Sequence, residues 1–300
     1  MESWIALSLL SAIFLGIYDI AKKKAVTGNA VPPVLLLNVS TAAVIWGIPV
    51  LTGFFFPNQV TSSVAQLSRI SIEEHCLLFI KALMVGSSWI FAFFALKHLP
   101  ISIASPIRST SPIWTIFVAV MFLSERPGSS QWIGMAIILT AFLSFSFVGA
   151  REGIYFVKNG WVLVMVFATF IGAGCGLYDK YLLQQLGFSP MVVQAWFSIY
   201  LVPVMTPLTL YWFRFDRATT RFEWRWSIPL IAIFLLIADY LYFCSLADSS
   251  ALVSIVSTMR RTSVIIAFAY GVLFLKEKHW KAKLPCIVAI LIGVFHISQP

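Results

Sequence analysis

Charge is scarce in this chain. Of its 300 residues only 11% are Asp, Glu, Lys or Arg, and just 12 are acidic. A soluble globular domain is about a quarter charged and about half apolar. Here 60% of residues are hydrophobic and the mean hydropathy is +0.90. So little charge cannot cover an aqueous surface, which excludes a soluble fold and makes lipid the solvent. Cysteine is sparse too. Cys76, Cys175, Cys244 and Cys286 are scattered without a C-x-x-C pair, which argues against a disulfide frame or a thiolate metal site. The four histidines lack ligand spacing. There is no P-loop, no HExxH and no GxSxG, so neither ATP use, nor an enzyme, nor a metal or other cofactor is expected. No cleavable signal peptide is expected either. The first apolar run has no basic leader and meets Asp19 and Lys22-Lys23-Lys24 instead of a small-residue cleavage site.

What the chain does have is long apolar runs. A spanning helix needs about 20 mostly apolar residues. Ten segments qualify: 4–25, 33–56, 76–97, 101–124, 131–149, 160–184, 190–213, 227–247, 250–275 and 283–298. Turn signals separate them, among them Gly28-Asn29 before Pro32-Pro33, Arg126-Pro127-Gly128, and Gly187 to Pro190. The longest connections, 57–75 and 214–226, are too short for a soluble domain. The expected fold is an all-α integral membrane protein of ten transmembrane helices.

A motif occurs twice within these runs. Ser105-Pro-Ile-Arg108-Ser-Thr110-Ser111 is matched by Ser257-Thr-Met-Arg260-Arg-Thr262-Ser263. After equal gaps come Phe122-Leu123-Ser124-Glu125-Arg126 and Phe274-Leu275-Lys276-Glu277-Lys278. Gly16-Ile-Tyr18-Asp19 and Gly176-Leu-Tyr178-Asp179 repeat as well. The unit is a five-helix repeat, residues 1–150 and 151–300. Five is odd, so the second copy enters the membrane inverted, a plan common to secondary transporters with a binding site near the midplane. Loops opposite the N-terminal side hold 14 Lys and Arg against 3 on the N-terminal side. By the positive-inside rule this count puts both termini outside. The net charge of +9 therefore belongs to basic loops, and no nucleic-acid partner is expected.

The motif arginines carry the chemistry. At 1.5 Å per residue Arg108 lies about 10 Å and Arg260 and Arg261 about 15 Å along their segments. Each arginine at that depth costs about 2.5–3.5 kcal/mol unless hydrated or paired. Arg108, Ser105 and Thr115 share a face, and Ser250, Ser254, Ser257 and Arg261 fall at helical spacing. Guanidinium groups among hydroxyls suit a carboxylate or phosphate, so Arg260, Arg261, Arg108, Ser257 and Ser105 are the candidate substrate-binding residues. The alternative is internal pairing with Asp19, Asp179 or Asp239. Asp239 either carries a proton or pairs with Arg260 or Arg261. Tyr18, Asp19, Tyr178 and Asp179 either gate the cavity or snorkel to water. Glu125 and Glu277 read as helix-end anchors, and Gly172-x-x-x-Gly176 as close helix packing.

The ten runs, the five-helix duplication, the first helix ending in Lys-Lys and the fourth ending in L-x-E resemble the drug/metabolite transporter superfamily, in its EamA-type ten-helix branch. The resemblance implies a solute exporter or exchanger that works by alternating access. The adjacent Arg260-Arg261 pair is similar to the basic pair on the ninth helix of the superfamily's nucleotide-sugar and triose-phosphate transporters, which implies an anion clamp. The resemblance to the superfamily also implies cytoplasmic termini, opposite to the charge count. The expected function is secondary transport of a small organic, anionic metabolite across a bacterial inner membrane, with a proton or counter-substrate as coupling partner. The rivals are an exporter of amino acids, amines or drugs with the same fold, a lipid flippase or headgroup enzyme, and a channel.

Overall fold

The computed structural model describes residues 2–98, 107–108, 110–148, 160–274 and 280–298. Among these residues the regular structure is entirely helical. In chain order the helices are α1 (Ser3–Val26), α2 (Val31–Phe55), the short α3 (Ser62–Gln66), α4 (Ile72–His98), α5 (Ser111–Phe122), α6 (Ser129–Val148), α7 (Gly160–Lys180), α8 (Pro190–Tyr211), α9 (Ser227–Leu246), α10 (Val253–Met259), α11 (Val264–Leu273) and α12 (Trp280–Ser298). Six described helices are long and apolar enough to cross a membrane: α1, α2, α4, α9, and α7 and α8 with the π-helical turns that prolong them to Gln185 and Asp216.

Turn chemistry places the breaks. Gly28 and Gly187 hold φ of +66° and +70°, a conformation that a Cβ disfavours. Proline stands in the first turn of both following helices, where its missing N–H and fixed φ are harmless. Ser189 caps α8 by accepting the Val192 N–H at 3.3 Å. The ninth apolar segment is less regular than its sequence suggests. It begins at Val253, not Ser250, and a 3-10 turn at Arg260–Ser263 divides it into α10 and α11.

Helices pair across the chain in a reciprocal scheme. α1 packs along α9 and α7 along α4; α2 packs along α8, α6 along α12, and α5 against both α7 and α10. Where lipid supplies no hydrophobic drive, close packing and polar contacts hold helices together. Serines do this here: Ser11 donates to the Ala238 carbonyl at 2.7 Å and Ser88 to the Ala168 carbonyl at 2.8 Å. Glycines bring backbones together. A Cβ on Gly134 would lie 2.6 Å from the Gly293 carbonyl oxygen, and one on Gly293 would lie 2.8 Å from that of Gly134. A Cβ on Gly16 would lie 2.8 Å from the Ser263 carbonyl oxygen. That vacancy seats α1 against the 3-10 turn and brings Tyr18 and Asp19 toward the arginines.

Candidate functional site

The frame of the site is the N-terminus of α10. Glu125, buried in the connection after α5, accepts the Val253 N–H at 2.7 Å, the Ser254 N–H at 3.2 Å and the Ser254 hydroxyl at 2.5 Å. Its charge is balanced by Lys180 at 2.6 Å. A carboxylate here satisfies helix donors that have no partner within the helix and meets the positive end of the helix dipole. Glu125 is thus an anchor, as its sequence position suggests, but its partners come from the other half of the chain. Gln184 holds the preceding turn, its Nε2 lying 2.8–3.0 Å from the carbonyls of Leu246, Asp248 and Ala251. In that turn Ser250 gives its N–H and hydroxyl to Asp248 at 2.9 and 2.6 Å. These bonds hold the Asp248 carboxyl below its ordinary range. The helical stripe Ser250, Ser254, Ser257, Arg261 is therefore broken. Ser250 belongs to the turn, Ser254 is spent on Glu125, Ser257 is half-buried in α10, and the 3-10 turn resets the register.

That turn presents Arg260 and Arg261 to different surroundings. Arg260 is ion-paired to Asp239 of α9 at 2.7 Å, and its guanidinium lies over the Tyr242 ring, 4.3 Å from the centroid. The pair with Arg260 that the sequence left open for Asp239 is present. Arg261 makes no ion pair among the described residues, and its Nε is buried without an acceptor, as is that of Arg260. The charges of Arg260, Arg108 and Asp19 all act on Arg261. Those of Lys22, Arg108, Arg261 and Arg260 act on Asp19. Tyr18 is buried beside them, within the fields of Asp19, Arg108, Asp239 and Arg260. Asp19 and Arg108 are exposed although they lie along apolar segments. Four cations and two carboxylates thus share one region, leaving two positive charges in excess.

The repeated counterpart of Tyr18-Asp19 is built differently. Asp179 is buried and ion-paired to Lys81 of α4. The Lys81 ammonium is held between the Phe197 and Phe243 rings, 4.5 and 4.7 Å from their centroids. The Tyr242 hydroxyl also bonds to Asp179. Tyr178 donates to the Leu77 carbonyl at 3.1 Å. Neither residue snorkels to water, because the helix continues beyond them to Gln185. A polar chain runs from Lys81 through Asp179 and Tyr242 to Arg260 and Asp239. Gly176, in the expected close-packing motif, lies beside it: its Cβ would be 3.5 Å from the Tyr242 hydroxyl.

Sequence reasoning missed Lys81, although a signal was present. It is the one basic residue that neither the loops nor the arginine motif accounts for. Asn38 of α2 and Gln194 of α8 were missed as well. Each buries a side-chain carbonyl oxygen without a hydrogen-bond partner among the described residues. Ser105 and Glu277 lie outside the described residues. Among the described residues no His, Cys, Asp or Glu cluster could hold a metal.

Comparison with known proteins adds three findings. The EamA-like transporter family matches residues 2–147. The chain is 25% identical over 203 residues to the pseudopaline exporter CntI of Pseudomonas aeruginosa, in strains UCBPP-PA14 and PAO1 alike, covering 67% of each chain. It also superposes on a protein crystal structure with a TM-score of 0.69 at 14% identity, covering 98% of this chain and 95% of the other. At that identity the superposition speaks for the fold alone.

Proposed function

We propose, from the match of residues 2–147 to the EamA-like transporter family, that this multi-pass membrane protein is a secondary transporter of a small organic anion. It acts as an exporter or exchanger, by alternating access, in an inner (plasma) membrane. The reciprocal pairing of α1 with α9 and α7 with α4, and of α2 with α8 and α6 with α12, supports ten spans arranged as two inverted five-helix repeats, 1–150 and 151–300. Alternating access then amounts to one repeat rocking against the other around a fixed site.

The observation that carries the substrate charge is Arg261. Its Nε is buried without an acceptor, it has no carboxylate partner within ion-pair distance among the described residues, and it stands within the fields of Arg260, Arg108 and Asp19. A substrate carboxylate or phosphate supplies what the protein does not, gripped by a planar fork. Arg261 and Arg108 are the substrate-facing pair, with Ser257 and Ser105 as flanking hydroxyls. Arg260 is the positioning residue, held by Asp239 and Tyr242. Asp19 and Tyr18 face the same space from α1, and Asp239, Tyr178 and Asp179 connect it to the interface between halves, where a proton or counter-substrate couples transport.

The test is a thermal-shift panel on purified protein, since a ligand bound only to the folded state raises its apparent stability. Pseudopaline, the cargo in the relative's name, heads the panel, followed by carboxylates, phosphates, amino acids and amines. An anion that stabilises the wild type but not Arg261→Ala is the expected result. Stabilisation by amines alone, unchanged in Arg261→Ala, favours the second reading, an amine or drug exporter bound through Asp19.

A further inference from the structure

Independently of the substrate site, the segment between α8 and α9 forms a basic, aromatic surface at the end of a span. The apolar span that starts at Pro190 runs to Asp216. Arg214 lies in its last turn, and Arg217, Arg221 and Arg225 follow within eleven residues. Around them Tyr211, Phe213, Phe215, Trp224 and Trp226 are exposed, Trp226 to 78%. Tyr and Trp concentrate where hydrocarbon meets headgroups, so these side chains set the depth at which the segment sits.

The surface is built, not a loose loop. Trp212 is buried, and its Nε1 donates to the Thr220 hydroxyl at 2.7 Å. Thr219 and Thr220 return their hydroxyls to the Asp216 carbonyl at 2.9 and 3.1 Å. Arg225 ties the far end to the α1–α2 turn through the carbonyls of Lys24 and Thr27, at 2.9 and 2.6 Å, and pairs with Glu223 at 2.9 Å. Asn29 adds bonds to the Glu223 backbone at 2.7 and 2.8 Å.

Glu223 is thereby committed to Arg225, and Asp216 is the remaining carboxylate of the segment. Arg214, Arg217 and Arg221 are exposed and make no ion pair among the described residues. Two of them are laid over aromatic rings, Arg217 over Phe213 at 4.9 Å and Arg214 over Phe215 at 5.8 Å. An arginine held against an interfacial ring leaves its fork free at headgroup level, where phosphate oxygens lie.

We propose that Arg214, Arg217 and Arg221, with the Trp224–Trp226 pair, form a binding site for the headgroup of an anionic phospholipid. The rings insert beside the acyl chains and the guanidinium groups take the phosphate. Basic clusters immediately beyond a span attract anionic lipid and lose that attraction as their charges are removed.

The experiment uses the full chain in detergent, titrated with phosphatidylglycerol or with phosphatidylcholine of the same acyl chains. Melting temperature and retained lipid, counted by native mass spectrometry, are the readouts. Phosphatidylglycerol is expected to raise the melting temperature and remain bound, and phosphatidylcholine to do neither. The triple variant Arg214→Gln, Arg217→Gln, Arg221→Gln is expected to lose about tenfold or more in phosphatidylglycerol affinity, while Arg69→Gln, in another loop, keeps it. If the triple variant does not fold, Trp224→Ala with Trp226→Ala reports instead, through a lower count of retained phosphatidylglycerol. Equal response to the two lipids, or an undiminished preference in the triple variant, overturns the proposal. So does full reproduction of the effect by inorganic phosphate, which would make the site one for free anions.

Discussion

Lys81 of α4 and Asp179 of α7 form an ion pair that is almost entirely buried, with side-chain exposures of 2% and 7%. Each neutralises the other inside the bilayer, and each belongs to a different half of the chain. Removing one partner leaves an unpaired charge in a spanning helix, which costs about 3–5 kcal/mol where pairs are buried. Lys81→Met and Asp179→Asn are each expected to lower the melting temperature steeply. The double variant is expected to recover much of the loss, because Met still fills the space between Phe197 and Phe243. A double-mutant cycle by thermal unfolding in detergent measures the coupling, and additive losses would refute it.

Tyr242 joins this pair to Arg260 through two separable parts. Tyr242→Phe keeps the ring beneath Arg260 and removes the hydroxyl from Asp179, at a cost of about 1 kcal/mol. Tyr242→Leu also removes the ring and is expected to lose a further 0.5–2 kcal/mol or so. Unfolding of the two variants side by side checks the order. Equal losses would mean that the ring contributes nothing.

Glu125 caps α10 and takes Lys180. Glu125→Ala leaves the Val253 and Ser254 donors and the Lys180 charge without their partner, a destabilisation of about 2–4 kcal/mol. Amide exchange in the 253–256 stretch should accelerate while exchange in α12 stays unchanged. Uniform acceleration throughout the chain would instead mean that the cap supports global stability alone.

Gly134 and Gly293 touch backbone to backbone. Gly293→Val places side-chain atoms where Ile138 and the Gly134 carbonyl already sit. The expected penalty is about 1–3 kcal/mol from overpacking, read as a lower melting temperature. Gly47, which has nothing within 4 Å of a built Cβ, should tolerate Ala with little change.

Much of this arrangement is legible in the residue order, and the illegible parts share a cause. The apolar lengths of α1 and α7 and the turns at Gly28 and Gly187 follow from local chemistry, and they stand where the sequence puts them. The break at Arg260–Ser263 carries no Gly or Pro to announce it. It rests on the Thr262 hydroxyl bonding to the Met259 carbonyl at 2.7 Å and on α1 approaching through Gly16, a tertiary contact. The Asp239–Arg260 pair is 21 residues apart and was among the readings open from sequence. Glu125 was legible as an anchor but not in its partner: Arg126 stands beside it in sequence, and Lys180 stands beside it in space. Lys81 stands out in sequence as a basic residue inside a span, but its partner does not, because Asp179 is 98 positions away.

That distance has a consequence for how the molecule is made. α4 leaves the ribosome and enters the membrane well before α7 exists, so the Lys81 ammonium must wait in hydrocarbon, or at its edge, for a carboxylate not yet synthesised. The same holds for Glu125, whose helix to cap and whose lysine both lie downstream. The first half is therefore an intermediate with unmet charges, which the second half completes as it inserts. A chain interrupted between residues 150 and 160 should be held by the insertion machinery or degraded, and a separately supplied second half should rescue it.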